Sequence, residues 1–434
     1  MTVDSPGSPQ TPPVPLEEQL RLLMRGVEYG DPHLHATMER ELRERLAEGR
    51  PLRVYCGFDP TSTDLHLGSL VPMLKMRQFQ KLGHEVTFLI GTGTGVVGDP
   101  SDKTASRQML TPEEVEANAE TWLGQAFRVL DPKLTLIKRN GDWLSELTIL
   151  DVVQLASHFT VAQFLDRETF RERMDASKPI YVHEFIYALM QGYDAVAMHT
   201  DVQLGGTDQL FNIMAGRTLQ RAFGQRPQVA VCTPILTGTD GVLKMSKSVG
   251  NCIWLTDTPA DMFGKVMSTP DSLIANYYTL LTDVPADEVA AIERGVGDRP
   301  STGSGQGSFN PMEAKKRLAR EVVALLHGPV AAAAAQAEFE RVFQRREEPE
   351  EAQELPVDLD ADGVARLDVT LVIVEAGLVP SRAEARRLLQ QGALSLDGEP
   401  VTSREVEVRP GSVIRVGKHR FLRIVGADRE QGQA

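Results

Sequence analysis

A chain of 434 residues is too long for one compact core and predicts two or three domains, each large enough to bury apolar side chains of its own. Its three cysteines, Cys56, Cys232 and Cys252, lie far apart with no Cys-x-x-Cys pair, which excludes a disulfide framework and a thiolate zinc site and makes the cytoplasm the natural compartment. A formal net charge of -14 weighs against a nucleic-acid partner, and no apolar run approaches a membrane span.

Residues 1–15 are rich in Pro, Ser and Thr, lack a basic start and an apolar core, and read as a mobile tail rather than a signal peptide. Arg53–Phe58 reads as a buried strand, 68–82 as a helix closed by Gly83, and 86–90 as the next strand, which makes a parallel βαβ unit. Thr111-Pro112-Glu113-Glu114 has the grammar of a helix start, with a hydroxyl N-cap, proline first and Glu third, and predicts a helix through Leu130. A strand over 134–137, helix over 143–164 and a polar segment ending near Pro179 follow. From 259 to 347 the pattern is almost wholly helical, clearest over 315–326 and the alanine-rich 330–342, with a Ser/Gly-rich flexible loop at 300–308.

Glu347, Glu348, Glu350, Glu351, Glu354, Asp358, Asp360 and Asp362, with Pro349 and Pro356, read as a solvated linker. Beyond it, a helix over 365–376 stopped by Gly377 precedes a second helix capped by Ser381, with Glu384 three residues on. A stop at Gly392 and short strands turning at Asp397-Gly398 complete this unit. Residues 366–423 hold ten Lys and Arg against seven Asp and Glu, so the whole-chain charge does not decide against RNA. The expected organisation is a tail (1–15), a parallel-sheet α/β domain (16–256), an all-α domain (257–346), an acidic linker (347–362), a small α+β unit (363–425) and a tail (426–434).

Two segments carry polyphosphate chemistry. Lys244-Met245-Ser246-Lys247-Ser248 sets two lysines and two hydroxyls between Gly241 and Gly250, suited to charge that develops as pyrophosphate leaves; a lysine-rich surface loop is the plain rival. His66 and Ser69 stand three apart at the start of a helix, where free N–H groups attract anions, and Gly68 between them would let a nucleotide approach the backbone. Gly93-Thr94-Gly95-Val96-Val97-Gly98 matches a dinucleotide fingerprint in letters, but Asp99-Pro100 follows where a helix should begin. Tyr187, Gln191 and Asp194 share one face of a helix, and Gly205-Gly206-Thr207-Asp208-Gln209 forms a turn where Asp208 can accept from ribose hydroxyls.

His66–Ser69 resembles the His-Ile-Gly-His signature of class I aminoacyl-tRNA synthetases, and residues 244–248 match their Lys-Met-Ser-Lys-Ser signature in full. Tyr55-Cys56-Gly57-Phe58-Asp59-Pro60-Thr61, the 184–194 run and the 203–209 turn are similar to tyrosyl-tRNA synthetases. Ser69 departs from the His or Asn that is common there. The resemblance extends over about residues 16–425 and implies a Rossmann-like parallel-sheet catalytic domain, an α-helical anticodon-binding domain and an S4-like RNA-binding domain.

The same resemblance implies a reaction in which L-tyrosine attacks ATP to give tyrosyl-adenylate and pyrophosphate, after which tRNA(Tyr) takes the tyrosyl group. Thr61, His66, Ser69, Lys103, Lys244 and Lys247 would handle the phosphates, with Arg107 beside Lys103. Tyr187, Gln191 and Asp99 would receive the ammonium, Asp194 with Tyr55 the phenolic hydroxyl, and Gln203 would complete that site. Cys56, Gly57, Asp59, Gly68, Gly206, Asp208 and Gln209 would face ATP, again with Lys247; Arg382, Arg386 and Arg387 would meet RNA, with Lys418, Arg420 and Arg423 on a later strand. ATP and Mg²⁺ enter as a substrate complex, with no permanently bound cofactor and no metal held by the protein, and a homodimer is expected. A tryptophanyl enzyme, a synthetase-like RNA-binding protein without aminoacylation and a nicotinamide dehydrogenase are the competing readings.

Overall fold

A computed structural model describes residues 14–60, 63–99, 111–297, 310–344, 353–360, 363–379, 381–417 and 420–426. The chain divides into two compact units, Met1–Ala333 and Ala334–Ala434.

In the first unit, runs of apolar residues give five strands: β1 (Arg53–Phe58), β2 (Glu85–Ile90), β3 (Thr135–Arg139), β4 (Val202–Gly206) and β5 (Val229–Thr233). All five residues of β5 and the last five of β2 are buried, as a sheet covered on both faces requires. The order is β3-β2-β1-β4-β5 and every pairing is parallel. Winding therefore reverses between β1 and β4, and their carboxyl ends open the crevice where such sheets bind ligands.

The helix after β1 runs Leu67–Lys81, with His66 as its N-cap, and the chain leaves it through Gly83 at φ +83°. Both halves of the Thr111–Glu114 capping box form, and that helix, Pro112–Ala126, ends four residues before the predicted Leu130. Residues 143–164 do not make continuous helix. Thr148 and Thr160 each start a new one through a capping box with Asp151 and Gln163, giving Gly141–Leu144, Ile149–Ala156 and Val161–Leu165. Helix Val182–Ala197 packs on Leu210–Ala222 at close range: a Cβ on Gly192 would lie 3.1 Å from the Gly216 nitrogen. Further helices, Pro259–Ser268, Ile274–Leu281, Ala286–Gly297 and Pro311–His327, follow, and the predicted loop at 300–308 lies outside the described residues.

The second unit holds β6 (Gln353–Val357), β7 (Ala365–Asp368), β8 (Leu394–Leu396), β9 (Glu399–Pro400), β10 (Glu405–Val408), β11 (Val413–Val416) and β12 (Arg420–Gly426). One sheet has the order β6-β12-β11-β8-β9, and β10 pairs with β7. Two expectations fail here. Residues 365–368 are a strand, because the Asp368 carboxylate accepts from the Thr370 N–H and starts the helix only at Val369. Residues 353–357, read as linker from their charge, form an edge strand beside β12, with Leu355 and Val357 turned into the apolar core. Gly377 and Gly392 do end helices, at φ +70° and +65°, and Asp397-Gly398 makes the predicted turn with both φ positive.

Candidate functional site

A cavity of about 340 Å³ opens over the carboxyl ends of β1 and β4. At one end Tyr55 from β1 and Gln203 from β4 meet Tyr187, Gln191 and Asp194, which line it from one helix face as predicted. Asp194 is 2% exposed and accepts from Trp143 Nε1 at 2.8 Å and Asn140 Nδ2 at 3.2 Å. Burial pushes its carboxyl up to about 8 against those two donors. The Tyr55 hydroxyl is buried with no hydrogen bond of good geometry, although the Gln228 amide lies beside it. Gln191 Oε1 is likewise buried without a partner. Two orphan polar atoms beside a buried carboxyl call for a polar ligand.

The Tyr187 hydroxyl donates to Asp59 Oδ2 at 2.8 Å, and Asp59 Oδ1 accepts from Thr94 Oγ1 at 2.6 Å. Asn140 Nδ2 also donates to Thr94, so one network runs from Asp59 to Asp194. Asp59, expected among the ATP contacts, thus has its carboxylate committed on the Tyr187 side. Gly91 makes this possible, since a Cβ there would lie 1.9 Å from Asp59 Oδ1. Asp99 accepts from Gln209 Nε2 at 2.7 Å, and Asn212 donates to Gln209 Oε1 at 3.1 Å. Gln209, also expected on ATP, therefore holds Asp99. Gln203 Oε1 accepts from Gln228 at 2.5 Å.

Toward the other end the cavity is lined by Cys56, Gly57, Ser69, Trp122, Gly206, Asp208 and Lys244. His66, Gly68 and Lys247 stand outside this lining. His66 caps the helix: its Nδ1 accepts from the Gly68 N–H at 3.1 Å and its ring meets Trp254 edge-on at 6.0 Å. Burial, and then the Lys244 charge, lower its pKa to about 4, so the neutral ring carries its proton on Nε2. The extended backbone of His66 sets it before the helix that carries Ser69. Gly68 serves this cap too, because a Cβ there would stand 2.9 Å from the imidazole.

The 244–248 loop is braced. The Ser246 N–H donates to Asn251 Oδ1 at 2.9 Å, and Asn251 Nδ2 donates to Asp240 Oδ2 at 2.7 Å and to the Lys244 carbonyl at 3.1 Å. Gly241 and Gly250, both at φ +77°, turn the chain at either side. Thr61, Lys103 and Arg107 lie outside the described residues, as does Lys418.

In the second unit Arg382, Arg386 and Arg387 are exposed on the helix that Ser381 caps. Glu384, the lone acid among them, pairs with Arg387 at 2.6 Å. Arg420 donates to the Leu378 carbonyl.

Sequence reasoning missed Thr94, Asn140, Trp143, Gln228 and Asn251. A signal existed for two of them: Asn140 and Trp143 follow directly on β3, at the sheet end where ligands bind. It also missed Arg167, whose guanidinium lies over Phe170 at 5.1 Å and Phe211 at 4.7 Å, with Nη1 buried and unpartnered.

Residues 47–344 match the family model of tRNA synthetases class I (W and Y), and residues 365–414 match the S4 domain. A tyrosine–tRNA ligase of Moorella thermoacetica is 49% identical over 408 residues, covering 94% of this chain and 95% of its own. One of Desulfotalea psychrophila is 45% identical over 414 residues, covering 95% and 99%. Among solved structures, the tyrosyl-tRNA synthetase of Archaeoglobus fulgidus complexed with L-tyrosine superposes with a TM-score of 0.56 at 23% identity, covering 74% of this chain and 100% of its own. The C-terminally truncated mitochondrial enzyme of Aspergillus nidulans gives 0.58 at 23%, covering 76% and 94%.

Proposed function

The chain belongs to the class I tRNA synthetases (W and Y), and from that premise we infer its reaction and assign its residues. It is a tyrosine–tRNA ligase: ATP activates tyrosine as the adenylate with release of pyrophosphate, and the tyrosyl group then passes to the 3′ end of tRNA(Tyr). The observation that carries the residue assignment is the orphaned Tyr55 hydroxyl beside buried Asp194. A phenol entering there supplies a hydroxyl that donates to Asp194 and accepts from Tyr55. Phenylalanine would leave the Tyr55 hydroxyl unpaired and set an apolar ring edge against the Asp194 carboxyl, at about 1–3 kcal/mol for a buried group left unsatisfied.

Gln191, Tyr187 and Asp99 then face the ammonium, with Gln209 and Asp59 holding the latter two in place. Asp208 at the end of β4 suits the ribose, and Cys56, Gly57 and Gly206 let adenosine lie close to the backbone. No side-chain nucleophile is required, because the substrate carboxylate attacks the α-phosphate. The chain's task is positioning and stabilisation of the charge on pyrophosphate. Lys244 and Lys247 supply the opposing positive charge, and neutral His66 offers a single Nε2–H donor; Ser69, Thr61 and Lys103 complete the proposed phosphate group. Mg²⁺ enters with ATP as part of the substrate.

The free, buried cysteines support a reducing, cytoplasmic setting. Exposed Ile149, Leu150 and Val153, within one turn of a single helix, are apolar residues that support a homodimer. Leu150→Asp should shift sedimentation to the monomer, and an unchanged dimer would reject that surface. The exposed arginines of residues 382–387 support RNA contact by the S4 unit. The reading is tested by ATP–pyrophosphate exchange, which should depend on added tyrosine; exchange with tryptophan alone would overturn it.

A further inference from the structure

The helix Pro112–Ala126 carries a polar stripe that bonds to a neighbouring loop. Asn118, Thr121 and Gln125 fall on one side at helical spacing. Asn118 Nδ2 donates to the Pro60 carbonyl at 2.9 Å, and Thr121 Oγ1 donates to the Thr63 carbonyl at 2.9 Å. Gln125, 7% exposed, donates from Nε2 to that same carbonyl at 2.9 Å, while its Oε1 accepts from the Leu65 N–H at 2.9 Å. Backbone groups of an irregular segment need partners when buried, and here one amide side chain serves two of them.

Just past the helix end, Arg128 Nη1 donates to the Leu255 carbonyl at 2.7 Å. Residue 255 belongs to the stretch that pairs with the His66 segment: the Leu255 N–H donates to the Leu65 carbonyl and the Leu67 N–H to the Ile253 carbonyl, each at 2.9 Å, with His66 opposite Trp254. That stretch leaves the lysine loop directly after Asn251, the residue that braces it. One helix end thus grips both strands of a short ribbon, one leading into His66 and the other coming from Lys244 and Lys247.

We infer that Gln125 and Arg128 are positioning residues that hold the two nucleotide-handling segments in register with each other. Neither side chain lines the cavity, whereas Trp122 of the same helix does. Slippage of the ribbon would move His66 against the lysines and leave the Tyr55–Asp194 end of the cavity unaltered. The inference rests on the proposed phosphate roles of His66, Lys244 and Lys247.

The test uses the full chain with Gln125→Met, Arg128→Met and Arg128→Lys, read by tyrosine-dependent ATP–pyrophosphate exchange and by equilibrium binding of tyrosine without ATP. Both Met variants should lose about tenfold to a hundredfold in kcat. Tyrosine affinity should change by less than about twofold, and Arg128→Lys, which keeps a donor for the Leu255 carbonyl, should recover part of the loss. Because both contacts act on one ribbon, the double Met variant should lose less than the product of the two single effects. Retained kcat in both Met variants overturns the inference, and so does a parallel loss of tyrosine affinity. If Gln125→Met does not fold, exposed Arg128 carries the test alone. Wild-type protein with no tyrosine-dependent exchange would instead reject the underlying assignment.

Discussion

Asp194 sits where a carboxylate is expensive and retains its proton well above the usual range, at about 8, because burial outweighs the donors Trp143 and Asn140. The folded chain then binds a proton that the unfolded chain releases above 3.8, so this group's contribution to stability falls as pH rises from about 4 to about 8. A phenol that donates to Asp194 favours the ionised form, so tyrosine binding should release a proton below that value. Affinity for tyrosine should therefore rise between about pH 6 and pH 8, and the slope should vanish in Asp194→Asn. Titration calorimetry in buffers of different ionisation heat measures both; a flat profile in the wild type would show that Asp194 is already ionised. Of this site, Tyr55, Tyr187, Gln191 and Asp194 were readable in the sequence, because their spacing sets them on one strand and one helix face. Asn140 and Trp143 had only their place after β3 to mark them, and their pairing with Asp194 spans more than fifty positions of chain.

The elements that sequence placed well are those with their own local chemistry. Arg53–Phe58 is found at its predicted bounds, and the Thr111–Glu114 box starts its helix where expected. Elements whose bounds depend on tertiary partners were misread: β6 looked like linker because Glu354 and the acidic residues around the strand mask an apolar alternation that only β12 makes useful. The lysine loop belongs to the same class. Its two flanking glycines were visible in the sequence, but not that Asn251 ties Ser246, Asp240 and Lys244 together. Asn251→Ala should leave tyrosine binding intact and lower the exchange kcat by about tenfold, as a loosened loop presents its lysines less often in the productive geometry. Equal loss of tyrosine affinity would place Asn251 in the general scaffold instead.

For the whole molecule, a net charge of -14 and an RNA substrate are reconciled by distribution. Residues 366–423 carry a surplus of three basic residues, and Arg382 and Arg386 are exposed on one helix. The variant Arg382→Glu/Arg386→Glu should leave exchange unchanged and raise KM for tRNA in aminoacylation. Its dependence on salt should weaken as phosphate contacts are lost. Unchanged KM would remove this helix from the RNA surface.

The cavity's selection of tyrosine is the central claim, and exchange kinetics with tyrosine and phenylalanine side by side, for the wild type and Asp194→Ala, test it most directly. The wild type should strongly prefer tyrosine, and removing the carboxyl should erode that preference by at least about tenfold, the scale of one lost buried hydrogen-bond partner. A variant that discriminates as well as the wild type would contradict the assignment of Asp194 and, with it, the orientation of tyrosine in the cavity.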